Sequence, residues 1–272
     1  MKRRPDPASA DDAEPAGAPT RRAFLAAAAV AAAAAACGGH PKTASNPIRR
    51  AASPLPPARR PSPPASPRQP GGPAREVDAG RRDRPLVALT FHGQGDPALA
   101  TALLDAAERA GARVTIFAVG SWLAAHPAMA GRIGTGRHDL ANHTQNHRPM
   151  AGMTEPAAFR EFADCARVLQ KVSGSPGHWV RPSGTAHTTP ALRAAAARAG
   201  YPVCVGYDVD SLDYTDPGPD VVRRRVQQAR AGSIVSLHLG HRDTVSALPG
   251  ILTDLRQRGL RPVTVTELLG AP

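Results

Sequence analysis

From Leu86 onward, short apolar runs alternate with stretches whose apolar residues recur at helical spacing. Leu86-Val87-Ala88-Leu89-Thr90-Phe91 reads as a buried strand, and residues 97–110 read as an Ala/Leu helix stopped by Gly111. Residues 114–119 form the next strand pattern, closed by Gly120, and residues 121–134 fit one or two short helices. A strand over His138–Asn142 leads into a polar segment with two histidines. A long helix over 155–172 follows, with Thr154 as its candidate N-cap. Residues 179–181 give a short strand stopped by Pro182, and residues 189–199 an Ala-rich helix ending at Gly200. Residues 201–207 contain a strand, 219–230 are helical, 233–237 are a buried strand, 244–258 are helical and 261–265 are the last strand. Such alternation predicts an α/β fold with a parallel sheet and helices outside it. About seven strands suit a distorted (β/α) barrel, one domain over residues 86–272, better than an open doubly wound sheet. No G-x-G-x-x-G follows a strand, so a dinucleotide site has no support.

The chain ahead of Leu86 has a different character. Thr20-Arg21-Arg22-Ala23-Phe24-Leu25 places a twin arginine before an alanine run that reaches Ala36. This reads as a charged region and an apolar region of a signal peptide, too short to span a bilayer, which needs about 20 apolar residues. The segment resembles a Tat signal, which implies export of an already folded protein. Cys37, after Ala34-Ala35-Ala36, resembles a lipobox cysteine that would be lipidated and anchored to the membrane; ordinary cleavage after Ala-x-Ala is the alternative. Residues 38–85 carry twelve prolines with many Ala, Ser and Arg, and predict a disordered linker. That linker holds ten Lys/Arg against three Asp/Glu, whereas residues 86–272 hold nineteen against fifteen. The formal net charge of +12 is therefore mostly a tail property. It points to anionic wall polymers or lipid headgroups and not to a nucleic-acid-reading domain. Cys165 and Cys204 fit either a bridge or two buried thiols.

The polar residues then fall into a pattern. His92 follows the first strand, His143 and His147 the third, Arg181 ends the fourth, Asp208, Asp210 and Asp213 follow the fifth, and His238 and His241 the sixth. In a β/α barrel these C-terminal ends converge on one mouth. Each residue alone has a bland reading as a solvated loop residue, a cap or a satisfied core histidine; the recurrence at one end points to a functional site. Imidazoles four residues apart, as at 143 and 147, can bind one divalent metal if the backbone is helical or tightly turned.

These residues resemble the polysaccharide deacetylase family (NodB homology domain, carbohydrate esterase family 4) across residues 86–269. His143-Thr144-Gln145-Asn146-His147 is similar to its metal-binding H-[ST]-x-x-H, and Arg181-Pro182 to its R-P motif. Asp210-Ser211-Leu212-Asp213-Tyr214 is similar to D-x-x-D-W with Tyr for Trp, and Ser236-Leu237-His238 to L-x-H. The resemblance implies a distorted β/α barrel that removes acetyl groups from chitin, peptidoglycan or xylan. His238 would be the general acid, oriented by Asp213. The first motif departs: where the family has T-F-D-D-G, with a base and a metal ligand, Thr90-Phe91 is followed by His92-Gly93-Gln94-Gly95-Asp96. Three imidazoles leave a dication more positive than an Asp-His-His set does, and so acidify bound water better. His92 with His143 and His147 is therefore the expected metal set, most suited to Zn²⁺. Asp96 is the nearest replacement base, or merely an N-cap. Arg181 would hold Asp96 or a substrate oxygen, and Tyr214 and Asp210 would contact substrate. His187 and His241 read as surface loop residues. The leading expectation is an envelope-anchored metal-dependent deacetylase acting on an acetylated cell-wall glycan. The rivals are a degenerate glycan-binding protein and an amidase or esterase with a non-sugar substrate.

Overall fold

The structure is a computed structural model that describes residues 72–272. The twin arginine, the alanine run, Cys37 and the proline-rich segment up to residue 71 lie outside the described residues. Strand β2 (Leu86–Gly93) is the hub. It pairs in parallel with β7 (Ile234–His238) over Ala88–His92, with β8 (Arg261–Val263) over Leu86–Ala88, and with β3 (Thr115–Ala118) over Thr90–Gly93. A strand has two edges, so β8 and β3 divide the edge opposite β7. Beyond β3 lies β4 (Asp139–Asn142), and beyond β7 lies β6 (Val209–Asp210). A separate pair, β1 (Arg75–Val77) with β5 (Val203–Val205), joins β4 through Val180, which bridges to both Asn142 and Cys204. The α/β barrel expected from the alternation is therefore present, with one wall thinned to a single bridging residue.

Among the described residues the α-helices are α1 (Pro97–Arg109), α2 (Gly120–Ala125), α3 (Ala128–Thr135), α4 (Glu155–Ser173), α5 (Pro190–Arg198), α6 (Pro219–Val226), α7 (Arg242–Gln257) and α8 (Val265–Leu269). Local chemistry sets their ends. Asp96 caps α1 by accepting from Ala98 N at 2.8 Å, ahead of Pro97 in the first turn. Thr154 occupies the N-cap position of α4 in extended conformation, but its side chain makes no capping bond. Gly174 ends α4 in the left-handed region. The last strand stops at Val263, two residues short of expectation, because Thr264 and Glu267 form a capping box that starts α8.

Period-two alternation along β2 separates two cores. Val87, Leu89 and Phe91 face the helices, in a cluster with Leu103 and Leu104 of α1 and Leu248 and Ile251 of α7. Leu86 and Ala88 face the barrel interior with Phe117, Trp179, Val205 and Ile234. Each large side chain buried in this way contributes roughly 1.5–3 kcal/mol. The next interior positions are Thr90 and His92 on β2, in register with Ser236 and His238 on β7. The interior thus turns from apolar to polar toward the C-terminal ends of the strands. Cys165 and Cys204 lie in different clusters as buried free thiols, each pushed up to about 12 by burial.

The boundary at 85 needs correction. β1 falls inside the segment expected to be a disordered linker, and the chain after it straps the start of β7. Ala79 bridges to Ser233, Gly80 N donates to Gly232 O at 2.8 Å, and Arg82 Nη2 donates to Asp208 Oδ2 at 2.8 Å. Gly232 is required there: its φ is 80°, and a Cβ would stand 2.5 Å from Arg81 O. Replacing Gly232 with Ala is expected to lower stability by about 1–3 kcal/mol in urea unfolding. An unchanged midpoint would contradict the strap.

Candidate active site

The segment after β4 is a tight loop and not a helix. Asn142, buried at the end of β4, donates through Nδ2 to Phe162 O and Tyr201 Oη, each at 2.9 Å, and accepts from Thr144 N at 2.8 Å. Thr144 (φ 70°) and His147 (φ 54°) both lie in the left-handed region. That is a costly conformation for a β-branched residue and is held here by its surroundings. Thr144 Oγ1 lies 3.0 Å from Ser183 Oγ. Glu161 of α4 accepts from Gln145 N and Asn146 N at 3.0 and 2.8 Å.

This loop brings both imidazoles to His92. Nitrogens of His92, His143 and His147 lie within 4.8 Å of one another. His143 Nδ1 is 2.8 Å from Arg181 O, a group that only accepts, so Nδ1 carries the hydrogen and Nε2 keeps its lone pair. That Nε2 is buried and has no partner. Burial pushes His92 and His143 well below the ordinary imidazole range and His147 below it as well. All three are therefore in the neutral form that ligates metal. An orphaned lone pair facing two neutral imidazoles fits a divalent cation.

The His92 ring stands between two others, 4.2 Å from His143 and 4.3 Å from His238 between centroids. Its Nε2 lies 3.3 Å from Arg181 Nη1, which can only donate. To ligate through Nε2, His92 must exchange that bond for the ion. Arg181 itself is buried and donates to Val205 O, Gly206 O and Thr90 Oγ1 at 2.8–2.9 Å, with its guanidinium 4.2 Å from the centre of the Phe117 ring. Burial lowers its pKa to about 9, which leaves it charged at neutral pH. It enters none of the ion pairs among the described residues. The expected hold on Asp96 is therefore replaced by a hold on His92.

Beside the imidazoles lies an acid–base pair. Asp213 opens a short 3-10 turn (Asp213–Thr215) and is fully buried. It accepts from His238 Nδ1 at 2.7 Å, His238 N at 2.8 Å and Thr244 Oγ1 at 2.5 Å. Burial raises its carboxyl, but these bonds outweigh burial and hold it below the usual range. Tyr214 is 51% exposed, with its ring 5.5 Å from His238.

The geometry also places the remaining residues. Asp96 is spent as the cap of α1, so it does not stand as the base. Asp210 Oδ1 accepts from Leu212 N at 3.0 Å and shapes the loop that carries Asp213. Asp208 lies at the start of β6 and binds Ile234 N at the start of β7, at the end opposite the mouth. His241 pairs with Asp216 at 2.8 Å and stands 5.7 Å from His238, while His187 is exposed near Glu76. Position 93 has no room for a side chain: a Cβ would lie 2.8 Å from Ile116 Cγ2 and 3.0 Å from Ala118 Cα. Sequence reasoning missed Asn142, Glu161, Ser183 and Thr244. The one available signal was Glu161, a charge on the apolar stripe of α4 between Ala158 and Phe162.

Residues 79–204 match the family Polysaccharide deacetylase. The peptidoglycan-N-acetylglucosamine deacetylase of Bacillus cereus is 30% identical over 68% of this chain and 88% of its own length. The chitooligosaccharide deacetylase of Rhizobium leguminosarum bv. phaseoli is 30% identical over 72% of this chain and 93% of its own. Among solved structures, a family 4 carbohydrate esterase pseudoenzyme from Bacillus anthracis superposes with a TM-score of 0.68 at 22% identity, covering 74% of this chain and 70% of that one. The barrel is the fold of that carbohydrate esterase family 4 structure. The chain belongs to the polysaccharide deacetylase family, the NodB or carbohydrate esterase 4 group.

A carboxyl held low in the folded state stabilises above its unfolded value and loses that contribution as pH falls through the folded one. The stability gap between wild type and Asp213→Asn is therefore expected to be full above about pH 5. It should shrink progressively as pH falls from there through 3.8, the ordinary carboxyl value, and below it. Denaturant unfolding at stepped pH measures it; a gap that widens on acidification would contradict the assignment.

Proposed function

We propose that this chain is a metal-dependent hydrolase that removes acetyl groups from an acetylated glycan of the cell envelope. The observation that carries this reading is the buried, unpartnered Nε2 of His143, with His147 and His92 beside it and the Asp213–His238 pair adjacent. His143, His147 and His92 would hold the ion, and a donor set of neutral imidazoles suits Zn²⁺. Such an ion, when bound, polarises the acetyl carbonyl and lowers the pKa of water.

The chain's own groups supply the proton transfers. His238 presents its Nδ1–H to Asp213, which leaves Nε2 free to take a proton from the attacking water as the new C–O bond forms. Asp213 stabilises the resulting imidazolium. Nε2 then passes the same proton to the leaving nitrogen as the C–N bond breaks, giving acetate and an amine. One residue in both roles suits a chain with no carboxylate at 92 or 93 and with Asp96 engaged in a helix cap. The exposed ring of Tyr214 offers a face to a sugar. The relatives named for peptidoglycan and chitooligosaccharide support a wall or extracellular glycan as substrate. The twin arginine and Cys37 support Tat export and a lipid anchor in the membrane, and nothing in the domain favours nucleic acid.

A second reading, a glycan-binding protein without turnover, is favoured by the crowding at Gly93, which leaves no space for the carboxylate ligand of the family motif.

Metal content and acetate release from chitooligosaccharide and peptidoglycan, with added Zn²⁺ or Co²⁺, separate the two. His143→Ala and His147→Ala are expected to lose the metal. His238→Ala is expected to keep the metal and lose acetate release by about 10²–10⁴-fold. A His238 that acts first as base makes activity fall on the acid side of the pH profile; an acid-only role makes it fall on the alkaline side. Full metal occupancy in His92→Ala would remove His92 from the ligand set, and bound metal without acetate on any substrate would favour the binder.

A further inference from the structure

Glu161 is a buried carboxylate outside the chemistry described above. It lies on the apolar face of α4, 6% exposed, and enters none of the ion pairs among the described residues. Burying a charge without a counter-ion costs several kcal/mol, and an apolar side chain would fill the position without that cost. What the carboxylate gains is the loop between the two imidazoles. Oε2 accepts from the successive amides of Gln145 and Asn146, and Oε1 accepts from Asn146 Nδ2 at 2.9 Å. Those amides converge on one point because Thr144 and His147, on either side, are left-handed. Consecutive N–H groups aimed at one anion form a nest.

We infer that Glu161 is a positioning residue for the metal. Its carboxylate fixes the loop from His143 to His147, and its negative charge stands behind a ligand set that has none. The inference rests on the metal reading proposed above. A glutamine at 161 keeps one acceptor oxygen but turns an NH₂ group toward a donor, and it removes the charge. Loss of a supporting partner of this kind lowers metal affinity by about 10–100-fold.

The test uses the full chain as wild type, Glu161→Gln and Asn146→Ala. Zinc is titrated against a competing chelator, amide exchange at Gln145 and Asn146 is followed in the metal-free protein, and thermal unfolding is recorded. The expected result is zinc affinity weakened about tenfold or more in Glu161→Gln. Faster exchange at the two amides should accompany it, and the loss of affinity should persist at temperatures where the variant is fully folded. Wild-type affinity in Glu161→Gln overturns the inference, and so does a loss that vanishes once the protein is fully folded. If Glu161→Gln does not fold, Asn146→Ala decides. That change removes one donor and no core contact; a smaller loss of affinity supports the inference and wild-type affinity overturns it. A wild type that binds no zinc at all sinks the metal reading itself. Amide protection at 145 and 146 would then still report whether the carboxylate orders the loop.

Discussion

The guanidinium of Arg181 is the constraint around which the barrel interior is organised. It is a buried charge, and its acceptors are neutral: two carbonyls of the Val205–Gly206 segment, the Thr90 hydroxyl and the His92 ring. Hydrogen bonds from an ionised donor are stronger than neutral ones, and four of them in one place tie β2 to β5 across the interior. The same residue's backbone carbonyl fixes the tautomer of His143. One position therefore orients two of the three imidazoles, one through its main chain and one through its side chain.

The substitution at the end of β2 can be understood from that constraint. A carboxylate at position 92 would neutralise the buried cation. His92 does not neutralise it and only accepts a hydrogen bond. Of the carboxylates nearest the cluster, Asp213 stands behind His238 and Glu161 behind the loop. An ion held as proposed would meet neutral donors in contact and anions one layer further out, with the guanidinium as its rival for His92. Such a site would differ from one with a carboxylate in direct contact.

Much of the fold was legible because its signals are local. The alternation of apolar runs and helical patterns placed β2, β3, β7, α1, α4 and α7 nearly at their observed ends, and the polar residues at strand ends marked the mouth. What escaped depended on distant partners. β1 is three residues long and gains its order from remote partners, β5 and Thr188, so its surroundings read as linker. Asp208 and Asp210 stand two residues apart, yet one binds at the base and the other shapes the upper loop, a split that only the pairing of β6 with β7 reveals. His92, His143 and His147 were legible as a set. Asn142, Ser183 and Thr244 were not, because their role is to hold neighbours contributed by remote segments.

The position of β1 has a practical consequence. The backbone of β5 is paired on one side by Val180 and on the other by β1. A polypeptide trimmed back to Leu86 would leave the β1 side of β5 bare and deprive Asp208 of Arg82. An open parallel edge recruits other chains. Shortening the protein at the apparent start of its first long strand would thus yield a self-associating fragment, and its poor behaviour in solution could be mistaken for a property of the enzyme.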